Sequence, residues 1–486
     1  MDNQKLEDLM INQSFCVGDN PGTQHSKSFS PCRGSVGGRG VGRQLIKTHT
    51  HTLAQLITHN LELMLRRDFV RTAVSLATVP LILGNSAYGF ESVVESGPPI
   101  KSITVFKASG NFYRFIGPNS YDKAPKGING NRPLVKVTLA DGTEGIGVVG
   151  YRELKEDTLS KIRSLIGKDP FTFYNWKDDK IIGVKDNMIE FFHNAAYSWI
   201  ESAVLDAIGK LKSRPVWKLF GEPVRDGIDT YDGTLYFEEI AQGKDVSIIG
   251  EIGKRMKADG YRAIKIKLGR PSKWLPGEAG VQRDIDAFTV LREAVGSNFT
   301  LMADANNGYA GQFDWAVKLM RGCAPYNMHF MEELFPDDAV LYRKLRDALL
   351  ETNFFIPIAD GESINDLKLF DPYLSDGVYN YLQPDMHTCG FSNILAFARK
   401  AESYPQAKVI PHVWQSQVGL IMSLHISRIQ KNITYVEDSR YFEHAIIPRG
   451  YTFRDGQWFI PEKAGWGIEW APDYKQYING KETVIQ

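Results

Sequence analysis

The sequence predicts an α/β protein built around a modified TIM barrel, with a smaller α+β domain ahead of it. Three observations predict this. From residue 228 onward, short apolar segments of strand character alternate with segments of helical periodicity. Ionisable residues recur at the ends of successive strand segments, about one βα unit apart. Before residue 228 the order differs: strand-like segments come first and helical ones follow, as in a separate α+β unit.

Barrel strands are expected at 229–237, 263–267, 300–304, 328–332, 355–359, 377–383, 408–411 and 434–437. Helices are expected between them, at 245–257, 282–295, 314–321, 338–350, 392–402 and 417–428. No amphipathic helix follows the eighth strand. A hairpin pattern around Asp455-Gly456 comes instead, so the tail is expected to return to the first domain. In that domain, strands are expected at 100–107, 134–139 and 145–149, with an Asp141-Gly142 turn between the last two. A long polar loop is expected over 108–132, and helices over 154–166 and 188–211.

The expected organisation is therefore 90–227 for the first domain, 228–437 for the barrel and 438–486 for the tail. Residues 64–89 pair Arg66-Arg67 with an uncharged stretch over 72–83, the pattern of a twin-arginine export signal. Met64 stands directly before it, so 1–63 is expected to be a mis-called or disordered extension. The expected location is periplasmic, with the cytoplasm as the alternative.

Lys+Arg and Asp+Glu are both 57, which argues against a nucleic-acid partner. No apolar run reaches the ~20 residues of a membrane span, so none is expected in the mature chain. The four cysteines have neither CxxC nor zinc-ligand spacing.

In Ala263-Ile264-Lys265-Ile266-Lys267, alternation puts both lysines on one strand face. Mutual repulsion is expected to lower at least one pKa and so supply a general base. Lys267, Asp304, Glu332, Glu362, Asp385, His412 and Glu437 end successive strands, and the carboxyl ends of barrel strands share one mouth. Any one of them alone could be a turn, cap or core residue. Their common phase favours a site. Carboxylates gathered there would repel one another, and oxygen ligands select Mg²⁺. Asp385 is placed to orient His412.

Lys265-x-Lys267, Asp304-x-Asn306, Glu332-Glu333, Gly361-Glu362, Gln383-Pro384-Asp385, Pro411-His412 and Glu437 together resemble the mandelate racemase branch of the enolase superfamily. The resemblance runs from about Ile100 to Trp470. It implies a (β/α)7β barrel under an N-terminal α+β capping domain. It also implies Asp304, Glu332 and Glu362 as Mg²⁺ ligands, Lys267 as base on one face and His412 with Asp385 on the other. Lys265 and Glu437 would contact the substrate carboxylate, and Asn306 the substrate. Leu334-Phe335 stand before Pro336, where the family has Pro directly after its Glu-Glu; Glu332, the first acid of the motif, is preferred to Glu333 as ligand.

The expected reaction is dehydration of a sugar acid to a 2-keto-3-deoxy acid. Racemisation or epimerisation of a 2-hydroxy acid is the alternative, and a non-catalytic exported sugar-acid binding protein is the alternative of another class. The expected partner is a small carboxylate, and the expected assembly a homo-oligomer.

Overall fold

The computed structural model describes residues 96–150, 154–351 and 355–486. The expected extension at 1–63 and export signal at 64–89 lie outside the described residues. The first sheet is made by β1 (Ile100–Ile116), β2 (Gly127–Leu139) and β3 (Glu144–Val148), antiparallel in sequence order. Ile103, Val105, Val135 and Val137 are buried on one face of it, the face that carries Gly145 and Gly147 and packs against the helix Ile200–Leu211. That helix crosses β3 closely. A Cβ at Gly145 would lie 1.9 Å from the Ala203 carbonyl oxygen, and one at Gly147 2.1 Å from the Ser202 hydroxyl, so only glycine admits the contact. A small hairpin, β4 (Tyr174–Lys177) with β5 (Lys180–Val184), completes this part.

Much of the loop expected over 108–132 is instead strand, since β1 runs to Ile116 and β2 starts at Gly127. The partner that extends β1 is distant in sequence: Gly110 to Phe112 pair with residues 441–443. The single helix expected over 188–211 is two, Asp186–Phe192 and Ile200–Leu211.

The barrel strands are β6 (Gly227–Leu235), β7 (Ala263–Lys267), β8 (Thr300–Asp304), β9 (Met328–Glu332), β10 (Ile358–Asp360), β11 (Tyr381–Leu382), β12 (Lys408–Val409) and β13 (Val436–Asp438). Neighbours from β6 to β12 pair in parallel, and β13 returns to pair with β6. A parallel bridge between Val409 and Ile433 closes the ring. Helices Ser247–Ala258, Glu278–Val295, Phe313–Cys323, Ala339–Leu350, Asp371–Asp376, Phe391–Ala401 and Gln417–Ile429 link successive strands. None follows β13 before the chain turns into β14 (Tyr441–Glu443), so the barrel is (β/α)7β. Tyr231, Ala263, Met302, Phe330, Ala359 and Ile410 fill its interior and form an apolar floor.

The remaining strands are β15 (Ile446–Pro448), β16 (Thr452–Arg454), β17 (Gln457–Phe459), β18 (Ile468–Trp470) and β19 (Ile478–Ile485). β14 and β19 pair antiparallel with β1. The β16–β17 hairpin does not join the first sheet; it adds to the amino-terminal end of β6, with Gln457 opposite Asp229.

Candidate active site

β7, β8 and β9 end in register: Lys267 pairs with Asp304, and Asp304 with Glu332. Parallel pairing therefore sets three of the expected residues side by side. Lys265 and Lys267 are both buried on one face of β7, as alternation requires. Lys265 Nζ donates to Glu332 Oε2 at 2.7 Å, lies 2.9 Å from Glu437 Oε1, and stands 3.7 Å from Asp304 Oδ2. Lys267 Nζ donates to Asp304 Oδ2 and lies 5.3 Å from the centre of the Tyr236 ring.

Across the mouth, His412 Nδ1 donates to Asp385 Oδ2 at 2.7 Å. Its Nε2 is 3.1 Å from Glu362 Oε2 and 3.9 Å from Glu437 Oε2. Asp385 is itself fixed, because its Oδ1 accepts the backbone N–H groups of His387 and Thr388 at a helix start. The lysine pair and the histidine–aspartate pair thus border one carboxylate cluster, Lys267 through Asp304 and His412 through Glu362.

The charges shift one another. Burial alone would lower both lysines, but Glu332 and Glu437 beside Lys265, and Asp304 beside Lys267, push both up. The expected lowered lysine pKa is therefore not found in this arrangement; the carboxylates around the pair outweigh its internal repulsion. Burial would also lower His412, yet Glu362, Asp385 and Glu437 push it up to about 10. Asp385, which burial alone would raise, is held well below the usual carboxylate range by His387 and His412. Burial and then Asp304 push Glu332 up to about 8, and burial foremost raises Glu362 and Glu333.

Among the described residues, no three His, Cys, Asp or Glu side chains converge closely enough to hold a metal ion. Lysine ammonium groups stand among the expected ligands instead. The donor set still suits a hard divalent cation by its chemistry. Asp304, Glu332 and Glu362 are carboxylates at or just beyond the ends of three consecutive strands. Glu332 Oε1 is buried with no hydrogen-bond partner, and its other oxygen is taken by Lys265 and by Gln383 Nε2 at 2.8 Å. Glu333 turns away from Lys265, with φ of 48°, and accepts from Asn306, Asn307 and Tyr121.

Asn306 does not present free donors to a substrate. Its amide nitrogen donates to Glu333 and Asp304, and its amide oxygen accepts from Asn119. Sequence reasoning gave no individual role to Asn119, Tyr121 or Gln383, placing the first two only within the long polar loop expected over 108–132. Gln383 lies in a quoted motif, whereas Asn119 and Tyr121 sit in a loop whose position is set only by tertiary pairing.

Residues 249–474 match the family described as "Enolase C-terminal domain-like". Those residues form a domain of the enolase superfamily. A 3,6-anhydro-α-L-galactonate cycloisomerase of Streptomyces coelicolor is 28% identical over 371 residues, covering 74% of this chain and 94% of that protein. A D-galactarolactone cycloisomerase of Agrobacterium fabrum is 27% identical over 357 residues, covering 69% and 88%. Among solved structures, a Geobacillus galacturonate dehydratase, in complex with D-galacturonate and 5-keto-4-deoxy-D-galacturonate, has a TM-score of 0.66 at 24% identity, covering 79% of this chain and 97% of that one. A mandelate racemase/muconate lactonizing protein from Geobacillus, complexed with magnesium and tartrate, has a TM-score of 0.68 at 23% identity, covering 79% and 96%. The superfamily fold, a barrel with a capping domain, is therefore shared with sugar-acid cycloisomerases, dehydratases and racemase-like proteins.

Proposed function

We propose that this chain is a Mg²⁺-dependent lyase that takes the proton α to the carboxylate of a sugar acid and expels the β-oxygen, giving a 2-keto-3-deoxy acid. The observation that carries this is the placing of Lys267 and the His412–Asp385 pair against the same carboxylate cluster, through Asp304 and Glu362 respectively. Binding a carboxylate alone needs neither group in that position. The cycloisomerase and dehydratase names of the relatives support sugar-acid chemistry.

In this reading, neutral Lys267 takes the α-proton, and the C–H electrons form the C=C bond of an enediolate. Those electrons then expel the β-oxygen as its C–O bond breaks, and protonated His412 donates its proton to that oxygen. Tautomerisation of the resulting enol gives the 2-keto acid. Lys265 and Glu437 are held 2.9 Å apart, ready to bind the carboxylate end as negative charge grows there. Asp304, Glu332 and Glu362 would hold a divalent cation, which would supply a Lewis acid for the substrate carboxylate and offset the carboxylate charge that keeps Lys267 protonated.

A second reading is supported by the two cycloisomerase relatives: the β-oxygen belongs to a ring, and its expulsion opens the ring without loss of water. A panel of acid sugars, anhydro acids and lactones, followed by NMR in deuterated water, tests both. Lys267→Ala should lower α-proton exchange and keto-acid formation by about 10²–10⁴-fold. His412→Asn should stop keto-acid formation while leaving exchange. Exchange in the wild type with no keto acid would indicate racemisation, and binding without exchange would indicate a binding protein. Keto-acid formation by Lys267→Ala at the wild-type rate would exclude lysine as the base.

A further inference from the structure

Residues 117–126 of the capping domain, between β1 and β2, are fastened to the loops at the carboxyl ends of β7, β8 and β9. Ser120 Oγ donates toward the carbonyls of Ala305 at 2.6 Å and Leu268 at 3.1 Å. Trp274 Nε1 donates to the Asn119 carbonyl at 3.1 Å. Gly269, with φ of +99°, makes room for this seat: a Cβ there would lie 2.4 Å from both the Ala305 oxygen and the Ser120 hydroxyl.

From this anchored segment two side chains reach the candidate site. Asn119 Oδ1 accepts the backbone N–H of Tyr121 at 3.1 Å and of Asp122 at 3.0 Å, which fixes the orientation of its amide. Its Nδ2 is thereby aimed at Asn306 Oδ1, 3.0 Å away. Asn306 Nδ2 in turn donates to Glu333 Oε2 at 3.0 Å and Asp304 Oδ2 at 3.3 Å, and its backbone N–H to Asp304 Oδ1 at 2.7 Å. The Tyr121 hydroxyl lies 2.9 and 3.1 Å from the two Glu333 oxygens and also meets Asn307 Nδ2.

We propose that Asn119 and Tyr121 are positioning residues for the cation site: from the capping domain they set Asn306 and Glu333, and through Asn306 they hold the Asp304 carboxylate in its ligating orientation. This deepens the proposed function and rests on Asp304 being a cation ligand. Neither residue touches the reacting atoms. Asn306 then acts as the link between capping segment and ligand, which explains why both its amide hydrogens are spent on carboxylates.

The test is a set of variants of the full chain: Asn119→Ala, Tyr121→Phe, Asn306→Ala, the Asn119→Ala/Asn306→Ala double, and Asp304→Asn as reference. Mg²⁺ affinity is measured by calorimetry without substrate, beside thermal melting and, with an active acid sugar, kcat and KM. Asn119→Ala and Tyr121→Phe should each weaken Mg²⁺ binding by about ten-fold, the loss of about one net hydrogen bond. They should lower kcat more than they raise KM. The double variant should be no weaker than Asn306→Ala alone, because the effect passes through that residue. A lowered melting temperature with wild-type Mg²⁺ affinity in both single variants would show a structural role only and overturn the proposal. Additive losses in the double would overturn the route through Asn306. Tyr121→Phe keeps a half-exposed ring and removes one oxygen, so it decides the matter if Asn119→Ala does not fold. Wild-type Mg²⁺ affinity in Asp304→Asn would overturn the ligand assignment itself, and this proposal with it. Loss of affinity in Asp304→Asn alone would leave that assignment standing and reject only the capping-segment role.

Discussion

Glu201 joins the capping domain to the barrel, and replacing it by glutamine should change how stability depends on pH. The residue is fully buried near the start of the helix Ile200–Leu211. Its Oε2 accepts the backbone N–H of Ser392, in the first turn of the barrel helix Phe391–Ala401, at 3.0 Å, and its Oε1 accepts the Tyr174 hydroxyl at 3.3 Å. Burial is the largest influence and these hydrogen bonds oppose it; together they push the carboxyl from 4.5 up to about 7. The folded chain therefore holds this proton more tightly than the unfolded chain. Its contribution to stability is complete below pH 4.5 and is lost as pH rises from there through about 7. At about 1.4 kcal/mol per pH unit, the loss comes to about 3 kcal/mol by pH 8.

Glutamine carries no charge to bury, and Tyr174 can turn to accept from the new amide. Urea unfolding of wild type and Glu201→Gln across pH 4–8 is the assay. Other titrating groups are common to both proteins, so they cancel in the difference. The variant should gain about 3 kcal/mol relative to wild type over that range, whatever the constant offset between them. A difference independent of pH would refute the reasoning.

Glu362→Gln should lose Mg²⁺ affinity and turnover together while the melting temperature stays near wild type, since the residue lies just beyond a strand end and not in the apolar floor; metal titration beside thermal melting checks this. Arg270→Leu should destabilise the fold by about 3–5 kcal/mol. It strands Glu239 and Asp284, each now 2.6 Å from the guanidinium and all three fully or almost fully buried, and chemical denaturation reads the loss.

Lys267, Asp304 and Glu332 were legible in the sequence because each closes a short β-branched or apolar strand, and parallel pairing turns equal phase into adjacency. Residues 263–267, 300–304 and 328–332 match β7, β8 and β9 for the same reason. The later strands were read too long: β11 pairs only over Tyr381–Leu382, where 377–383 was expected. An apolar run buried in a barrel wall looks alike whether its backbone pairs or merely packs.

The sequence by itself thus determined the barrel, its missing last helix and the line of ionisable groups at its mouth. It did so because strand alternation and βα spacing are local periodicities. Only the tertiary structure decided the sign of the lysine shifts. Repulsion between Lys265 and Lys267 is visible two residues apart, but the carboxylates that overcome it come from β8, β9 and β13. It also decided that Asn306 faces Asn119 and Glu333, and that the chain over 108–116 is strand rather than loop. Those outcomes depend on hydrogen bonds and charges between residues far apart in sequence, whose distances no local pattern fixes.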